Sequence, residues 1–116
     1  MIPTVTVSAD KHPKYSTDPG NATQDQVFLL SITEANKYFS SDSARQCKPT
    51  DFALARGAHV DSATGNCRWW LRTSGVNQAR AANIGTDGAK QVEGRVVSTD
   101  YIGVRPAMWI DLSANK

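Results

Sequence analysis

The chain has 116 residues, of which 40% are hydrophobic and 21% charged, and its formal net charge is +2. This length favours a single domain with one hydrophobic core. The near-neutral, mixed charge argues against a nucleic-acid-binding face, and no apolar window approaches the length of a membrane span, so neither nucleic acid nor a membrane is an expected partner.

Residues 1–26 are predicted to form an extended, loop-rich arm, and residues 27–116 the domain proper. Alternation over residues 4–7 favours an edge strand. The stretch that follows contains Pro, Gly and Asn together with several Ser, Thr and Asp residues, a composition that favours turns. So long an irregular stretch is unusual in a compact domain. Either the arm packs on the surface, or more chain precedes Met1.

A short strand and a capped helix are predicted after the arm. Residues 27–30 are continuously apolar and predict a strand buried on both faces. Ser31 and Glu34 have the spacing of a capping box, so a helix is expected from there to about Phe39.

Two shorter helical segments and a turn are predicted next. Asp42 or Ser43 is expected to cap one helical turn, and Thr50 to cap a second helix that ends at Gly57. Residues 62–65 have the composition of a turn.

The strongest strand prediction covers residues 66–72, which contain two of the three tryptophans. Alternation places on the core side Cys67, Trp69 and Leu71. It places on the opposite side Arg68, Trp70 and Arg72. Trp70 is therefore either a platform for a ligand or covered by a helix or loop, with the arginine stems packed beside it.

Residues 81–84 and 90–92 predict a hairpin around a turn that contains Asp87 and Gly88. Residues 95–97 predict a further short strand. Residues 104–112 are expected to close the sheet and to bring Trp109 and Ile110 into the core.

The sequence also gives expectations for two arginines and for the two cysteines. Arg72 and Arg105 are expected to anchor loops through backbone carbonyl groups. Cys47 and Cys67 form either one disulfide or two free thiols. Neither a zinc site nor any other cofactor is predicted, because no histidine cluster accompanies the cysteines.

Most of the chain resembles a bacterial family from gut Firmicutes and related phages that has no assigned function. The segments that carry the similarity are residues 27–31, Glu34-Ala35, Tyr38-Phe39, 48–50, 65–67, 69–72, 81–83, Asp87-Gly88 and 103–110. That family is in turn similar to the C-type-lectin-like superfamily, in the branch of formylglycine-generating enzymes and of the variable proteins of diversity-generating retroelements.

The resemblance implies an α+β fold of C-type-lectin-like type, with a small twisted antiparallel sheet, two short helices and a long loop-rich section. Members of the family usually have a further helical segment before this portion. Its loss would leave apolar surface uncovered and favour a homo-oligomer.

The variable proteins of that branch display ligand-binding side chains between the Trp strand and the closing strand. Carried over to this sequence, the expected ligand-binding residues are Asn77, Gln78, Arg80, Lys90, Gln91, Glu93, Arg95, Asp100 and Tyr101. Arg95 and Tyr101 are the strongest candidates, because Arg and Tyr are enriched at binding hot spots.

These observations predict a non-enzymatic module that binds a protein or glycan at the cell surface, in a secreted protein or on a phage particle. The alternative is a structural or attachment module of a larger surface or phage protein. A relative of the formylglycine-generating oxidases is disfavoured, because Cys47 and Cys67 do not occupy the late-chain positions that this chemistry needs. A Ser-His-Asp set is not suggested by the sequence either.

Overall fold

A computed structural model describes residues 1–115, and Lys116, the last residue of the predicted domain, lies outside them. In chain order the elements are β1 (Val5–Val7), β2 (Thr23–Asp25), α1 (Ile32–Tyr38), α2 (Asp42–Arg45), α3 (Asp51–Ala55), β3 (Trp69–Ser74), β4 (Arg80–Ile84), β5 (Lys90–Val96) and a 3-10 helix (Leu112–Asn115). Short helices and two antiparallel sheets make this an α+β fold, as predicted. No helix within the described range is long and apolar enough to cross a membrane.

The first helix begins at the predicted capping box. Ser31 Oγ accepts a hydrogen bond from the Glu34 amide at 3.1 Å, and the Glu34 carboxylate accepts one from the Ser31 amide at 3.0 Å. The helix ends at its C-cap residue Phe39. These contacts satisfy amide groups that have no partner within the first helical turn.

The two shorter helices are also capped by side chains. Thr50 caps α3 as predicted, and Gly57 follows it in a left-handed conformation with φ of +97°. The cap of α2 is Ser41 and not the predicted Asp42 or Ser43. The hydroxyl of Ser41 accepts from the amide of Ala44, so the helix begins one residue earlier than an Asp42 cap would place it and two residues earlier than a Ser43 cap would.

The main sheet has the strand order β3-β4-β5. The predicted hairpin turn between β4 and β5 is present, and Gly88 occupies it with φ of +85°. A β-bulge interrupts the β4–β5 register, with Gly94 beside it at φ of +84°. The bulge keeps residues 95–96 in the same strand as residues 90–92, so the separate short strand predicted at residues 95–97 is wrong.

The core lies between one face of this sheet and α1. Its fully buried members are Ile32, Ala35, Trp69, Leu71, Ala82 and Ile84. They include two of the three residues predicted for the core side of the Trp strand, and the third, Cys67, is also buried. The alternation of residues along β3 therefore determines which side chains leave water, as predicted.

Arg72 joins the N-terminal arm to the domain. Its guanidinium group donates hydrogen bonds to the carbonyl oxygens of Ser8 at 3.0 Å and Leu29 at 2.8 Å, and it forms an ion pair with Glu34. Its backbone amide donates to the carbonyl of Leu30 at 2.9 Å. The predicted role of Arg72 as an anchor of loop carbonyls is therefore confirmed.

The arm packs on the domain, which is the first of the two alternatives drawn from its length. Its strands β1 and β2 pair as an antiparallel ribbon, and the second of these strands was not predicted. His12 is buried, and its Nε2 lies 2.7 Å from the carbonyl oxygen of Val92 in β5. Thr17 donates to the carbonyl of Gly75 at 2.7 Å. Contacts with strands far along the chain therefore order a segment that has little regular structure.

Asp10 belongs to the same connection. It accepts hydrogen bonds from Ser31 Oγ at 2.6 Å and Ser8 Oγ at 2.5 Å, and Arg72 lies 3.6 Å away. Burial by itself raises the pKa of this carboxyl. The two hydrogen bonds and the charge of Arg72 outweigh burial, so the pKa of Asp10 lies below its ordinary value of 3.8.

We expect the wild-type protein to lose more stability in acid than the variant Asp10→Asn. A carboxyl group whose pKa is lowered by folding contributes stability that is present above its unfolded pKa and is lost as the pH falls through its folded pKa. Urea unfolding of both proteins between about pH 6 and pH 2 measures this difference. Parallel stability curves would contradict the assigned role of Asp10.

The predicted closing strand over residues 104–112 is not formed. In the described chain, the β pairing here consists of isolated bridges, one between Ala107 and Phe28 and one between Trp69 and Gly103, the residue just before this segment. Gly103 and Leu30 both accept hydrogen bonds from amides of β3, so two segments share one edge of that strand. Neither segment can therefore run along the full edge.

The predicted burial of Trp109 and Ile110 is also wrong. Trp109 is 51% exposed and Ile110 is 61% exposed. Helix α1 already covers the apolar face of β3, and Trp109 lies outside it, edge-on to the ring of Tyr38 at 6.2 Å. Residues 27–30 likewise form a bridge and not a strand buried on both faces, and Val27 is exposed.

Arg105 lies over the core although its own segment is irregular. Its guanidinium carbon is 4.9 Å from the centre of the Trp69 ring and 5.1 Å from that of Phe39. It also donates to the carbonyl of Arg45 at 3.5 Å, in agreement with its predicted contact with a loop carbonyl.

Cys47 and Cys67 are free thiols that lie opposite each other across an antiparallel bridge. Burial, together with the neighbouring Cys47, raises the pKa of the Cys67 thiol above its ordinary value. Cys67 is therefore a weaker nucleophile than an exposed cysteine at neutral pH.

Candidate functional site

The face of the main sheet opposite the core carries the candidate site. Strand pairing places Trp70 beside Asn83, and Asn83 beside Gln91. Ala81 pairs with Arg95 on the same face. Side chains alternate along each strand, so this face presents polar and charged groups where the other face presents the core.

A wide cleft of about 680 Å³ opens beside this face. We call it the Arg68–Arg95 cleft, and its lining residues are Gly57, Ala58, His59, Val60, Arg68, Arg95 and Tyr101. Its volume lies within the usual range for small-molecule sites. Strand β5, the entry to β3 and two loops distant in sequence therefore contribute to one concave surface.

Tyr101 is held in this cleft from two sides. Its hydroxyl oxygen accepts a hydrogen bond from the Arg95 guanidinium at 2.9 Å. Its ring stands edge-on to that of His59 at 6.1 Å, and its carbonyl oxygen accepts from the His59 amide at 3.0 Å. The hydroxyl keeps its own proton free to donate. The two strongest predicted ligand-binding residues, Arg95 and Tyr101, are thus in direct contact.

Arg68 forms the other charged wall of the cleft. Its guanidinium donates to Asn83 Oδ1 at 3.3 Å. Asn83 is fully buried, and its Nδ2 has no hydrogen-bond partner among residues 1–115. Buried amide donors without a partner are rare in folded proteins.

Two positively charged side chains, Arg68 and Arg95, line the cleft. The ion pairs of the described residues lie elsewhere, on Arg45 and Arg72. Arg68 and Arg95 therefore have no carboxylate partner within ion-pair distance in that part of the chain. Asp100 precedes Tyr101 in sequence, but it lines a neighbouring groove beside α3. Two uncompensated guanidinium groups on one concave surface favour an anionic group there.

The other predicted ligand-binding residues do not all lie at this cleft. Gln91 shares the sheet face with Arg95, whereas Lys90 pairs with Ile84 on the core side and donates to Asn36 Oδ1. The guanidinium of Arg80 donates to the carbonyl of Gly94 at 3.1 Å. The remaining members are exposed and do not line the cleft: Asn77, Gln78, Glu93 and Asp100.

Five residues that line the cleft were not predicted as ligand-binding residues, and His59 and Arg68 are the two with polar side chains. His59 precedes the Trp strand, outside the section from which the candidates were taken. Arg68 was placed correctly on the face opposite the core, but its position at the same cleft as Arg95 depends on the pairing of three strands. The placement of Arg68 and Trp70 on one side of the predicted Trp strand was the signal for Arg68 in the sequence.

A second concave surface is apolar. This Trp109 groove has a volume of about 220 Å³ and is lined by Phe28, Leu30, Glu34, Tyr38, Ala107, Met108 and Trp109. Trp70, which the sequence places on the side of the Trp strand opposite the core, is half-buried. It lines neither the Arg68–Arg95 cleft nor the Trp109 groove.

The guanidinium groups of Arg68 and Arg95 supply hydrogen-bond donors at the cleft, and its hydroxyl belongs to a tyrosine that is already bonded to an arginine. Within residues 1–115, no group of three or more His, Cys, Asp or Glu side chains is placed to hold a metal ion.

A family profile described as a domain of unknown function (DUF6273) matches residues 1–112 of the chain. No curated protein and no solved structure matches the chain significantly. The profile covers the arm, both sheets and the three described α-helices, and it ends at the first residue of the 3-10 helix. The chain therefore belongs to the DUF6273 family.

Proposed function

We propose that this chain is a non-enzymatic recognition domain that binds a protein or glycan ligand at the Arg68–Arg95 cleft. The observation that carries the proposal is the Arg95–Tyr101 contact, in which two hot-spot residue types lie on a concave surface. Both side chains are oriented before any ligand arrives. Such preorganisation reduces the entropy that a ligand must offset on binding.

We also propose that the fold is a variant of the C-type-lectin-like architecture. Support comes from the order of its parts, with a Trp-containing strand, a hairpin section, and a terminal segment containing Gly103, Val104 and Arg105 that returns to the edge of the Trp strand. In this variant the terminal segment makes isolated bridges in place of a full strand.

Replacing both Arg95 and Tyr101 with alanine is expected to weaken ligand binding by about 30-fold or more, because the loss of one hot-spot residue costs about 2 kcal/mol and the effects of two residues in contact do not simply add. Urea unfolding establishes that the double variant is folded under the binding conditions, since Tyr101 is half-buried and its replacement is expected to cost some stability. The ligand is first identified with a mixed array of glycans and peptides, with and without calcium, and its affinity is then measured by calorimetry.

The matched control is Gln78→Ala. This residue belonged to the same predicted set but lies outside the cleft, so its replacement should leave affinity unchanged. Equal losses in the control and in the double variant would contradict the assignment of the cleft. So would a ligand whose affinity is unchanged by the double variant.

A second candidate function is a structural or attachment module of a larger surface or phage protein. The Trp109 groove supports it, because Tyr38, Met108 and Trp109 expose large apolar surfaces there. A blank array from a folded sample, combined with self-association that Trp109→Ser abolishes, would favour this second function. Sedimentation velocity measures that self-association.

A further inference from the structure

We infer that the ligand of the Arg68–Arg95 cleft is a saccharide that carries a carboxylate or sulfate group. The inference rests on the proposed recognition function, and it specifies the chemistry of the bound group. It comes from the donors, the charge and the lining of the cleft.

The donors around the cleft outnumber the acceptors. Each guanidinium group has five N–H donors. Among residues 1–115, the guanidinium group of each cleft arginine makes one hydrogen bond, from Arg68 to Asn83 and from Arg95 to Tyr101. The Tyr101 hydroxyl accepts from Arg95 and still donates. A ligand group that only accepts hydrogen bonds, such as a carboxylate or sulfate oxygen, is complementary to this set.

The charge of the cleft points in the same direction. Arg68 and Arg95 have no carboxylate partner in the described part of the chain, and charged groups at clefts concentrate ligands of opposite sign. The overall charge of only +2, with Glu93 two residues before Arg95, does not provide the long basic stripe that a nucleic acid requires. A local anionic group therefore fits better than a polyanion.

The lining favours a saccharide over a peptide. Peptides are bound by an exposed strand edge, by an apolar groove or, when they are acidic, by a cluster of arginines, so the acidic peptide is the competing ligand in the test. Apart from Val60, the cleft has no large aliphatic lining residue to take the apolar side chains of a peptide, and its other lining residues include the small Gly57 and Ala58. Its volume of about 680 Å³ is within the range of sites for small ligands. A polar ligand about the size of a disaccharide fits both this lining and this volume.

The test is a titration of the isotope-labelled protein, followed by amide chemical shifts, at a constant ionic strength of about 0.15 M. The probes are a sulfated chondroitin disaccharide, its unsulfated form that keeps the carboxylate, lactose, sodium sulfate and a short glutamate-rich peptide. We expect saturable shifts at His59, Arg68, Arg95 and Tyr101 with the acidic disaccharides, and binding of lactose that is weaker by about tenfold or more. Comparison of the two acidic forms tells sulfate from carboxylate recognition.

The variants Arg68→Gln and Arg95→Gln should each weaken the acidic disaccharide by about tenfold, since each removes a charge-assisted contact. Arg68→Lys should retain part of the affinity, because it keeps the charge. The control Lys37→Gln removes the same charge from α1, which packs on the other face of the sheet. It should change affinity by less than about twofold. Thermal unfolding establishes that each variant is folded.

Equal binding of lactose and the acidic disaccharides at the cleft would overturn the inference while leaving the recognition function in place. Tighter binding of the glutamate-rich peptide would overturn the choice of a saccharide. Shifts spread over many lysines and arginines, or no saturable shift with either acidic disaccharide or with sulfate, would also overturn the inference. These outcomes differ from a failure of the proposed recognition function, which would also require that the mixed array of glycans and peptides yields no ligand.

Discussion

Replacing Trp69 with alanine is expected to lower the free energy of unfolding by about 3–5 kcal/mol, the usual cost of removing a large buried aromatic side chain. Trp69 is 1% exposed, its Nε1 donates to the carbonyl of Arg45 at 2.9 Å, and the Arg105 guanidinium lies over its ring. The variant therefore leaves a cavity, and the Arg45 carbonyl loses the shorter of its two side-chain hydrogen bonds. Urea unfolding followed by circular dichroism measures the loss.

The matched control is Trp109→Ala. The sequence assigned both tryptophans to the core, but Trp109 is half exposed, and its replacement should cost less than about 1 kcal/mol. A loss below about 1 kcal/mol for Trp69→Ala would show that the core assignment is wrong. Equal losses for the two variants would show the same.

Replacing Gly88 with alanine is expected to cost about 2–4 kcal/mol, from the sum of a left-handed backbone penalty and a steric clash. Gly88 has φ of +85°, and an added Cβ would lie 1.7 Å from the carbonyl oxygen of Asp42. Its own carbonyl also accepts a hydrogen bond from Arg45 Nε at 2.9 Å. The hairpin turn and α2 would therefore have to separate. Equilibrium unfolding in urea measures the cost.

Gly20→Ala separates the two contributions. Gly20 has a similar φ of +78°, but a Cβ there would meet nothing within 4 Å. This control should show only the backbone penalty of about 1–2 kcal/mol. If both variants lost the same stability, the close contact between the hairpin turn and α2 would be ruled out as the cause.

Several local features could be predicted from the sequence because their causes span only a few residues. The capping box of Ser31 and Glu34 needs a spacing of three residues, and the turn at Gly88 needs one glycine after an aspartate. The alternation along β3 placed Trp69 in the core. The same alternation placed Arg68 on the opposite face, where one wall of the cleft lies.

The candidate site was only partly predictable. Arg95 and Tyr101 were identified from their residue types and their place in the loop-rich section, and they meet at the cleft. His59 was missed because its contact with Tyr101 spans 42 positions in the chain, from residue 59 to residue 101. Lys90 was assigned to the binding face, but strand register turns it to the core side. One residue of register decides such a choice.

Sequence patterns and the family resemblance predicted the α+β class, the caps of α1 and α3, the hairpin turn and the buried face of the Trp strand. Tertiary structure alone decided that Gly103 and Leu30 share the edge of β3, that Trp109 stays outside the core, and that Arg68 and Arg95 face one cleft. The physical reason is the range of the interactions. Capping, turns and alternation depend on neighbours along the chain, whereas burial and the composition of a cleft depend on which distant segments compete for the same strand edge and the same apolar face.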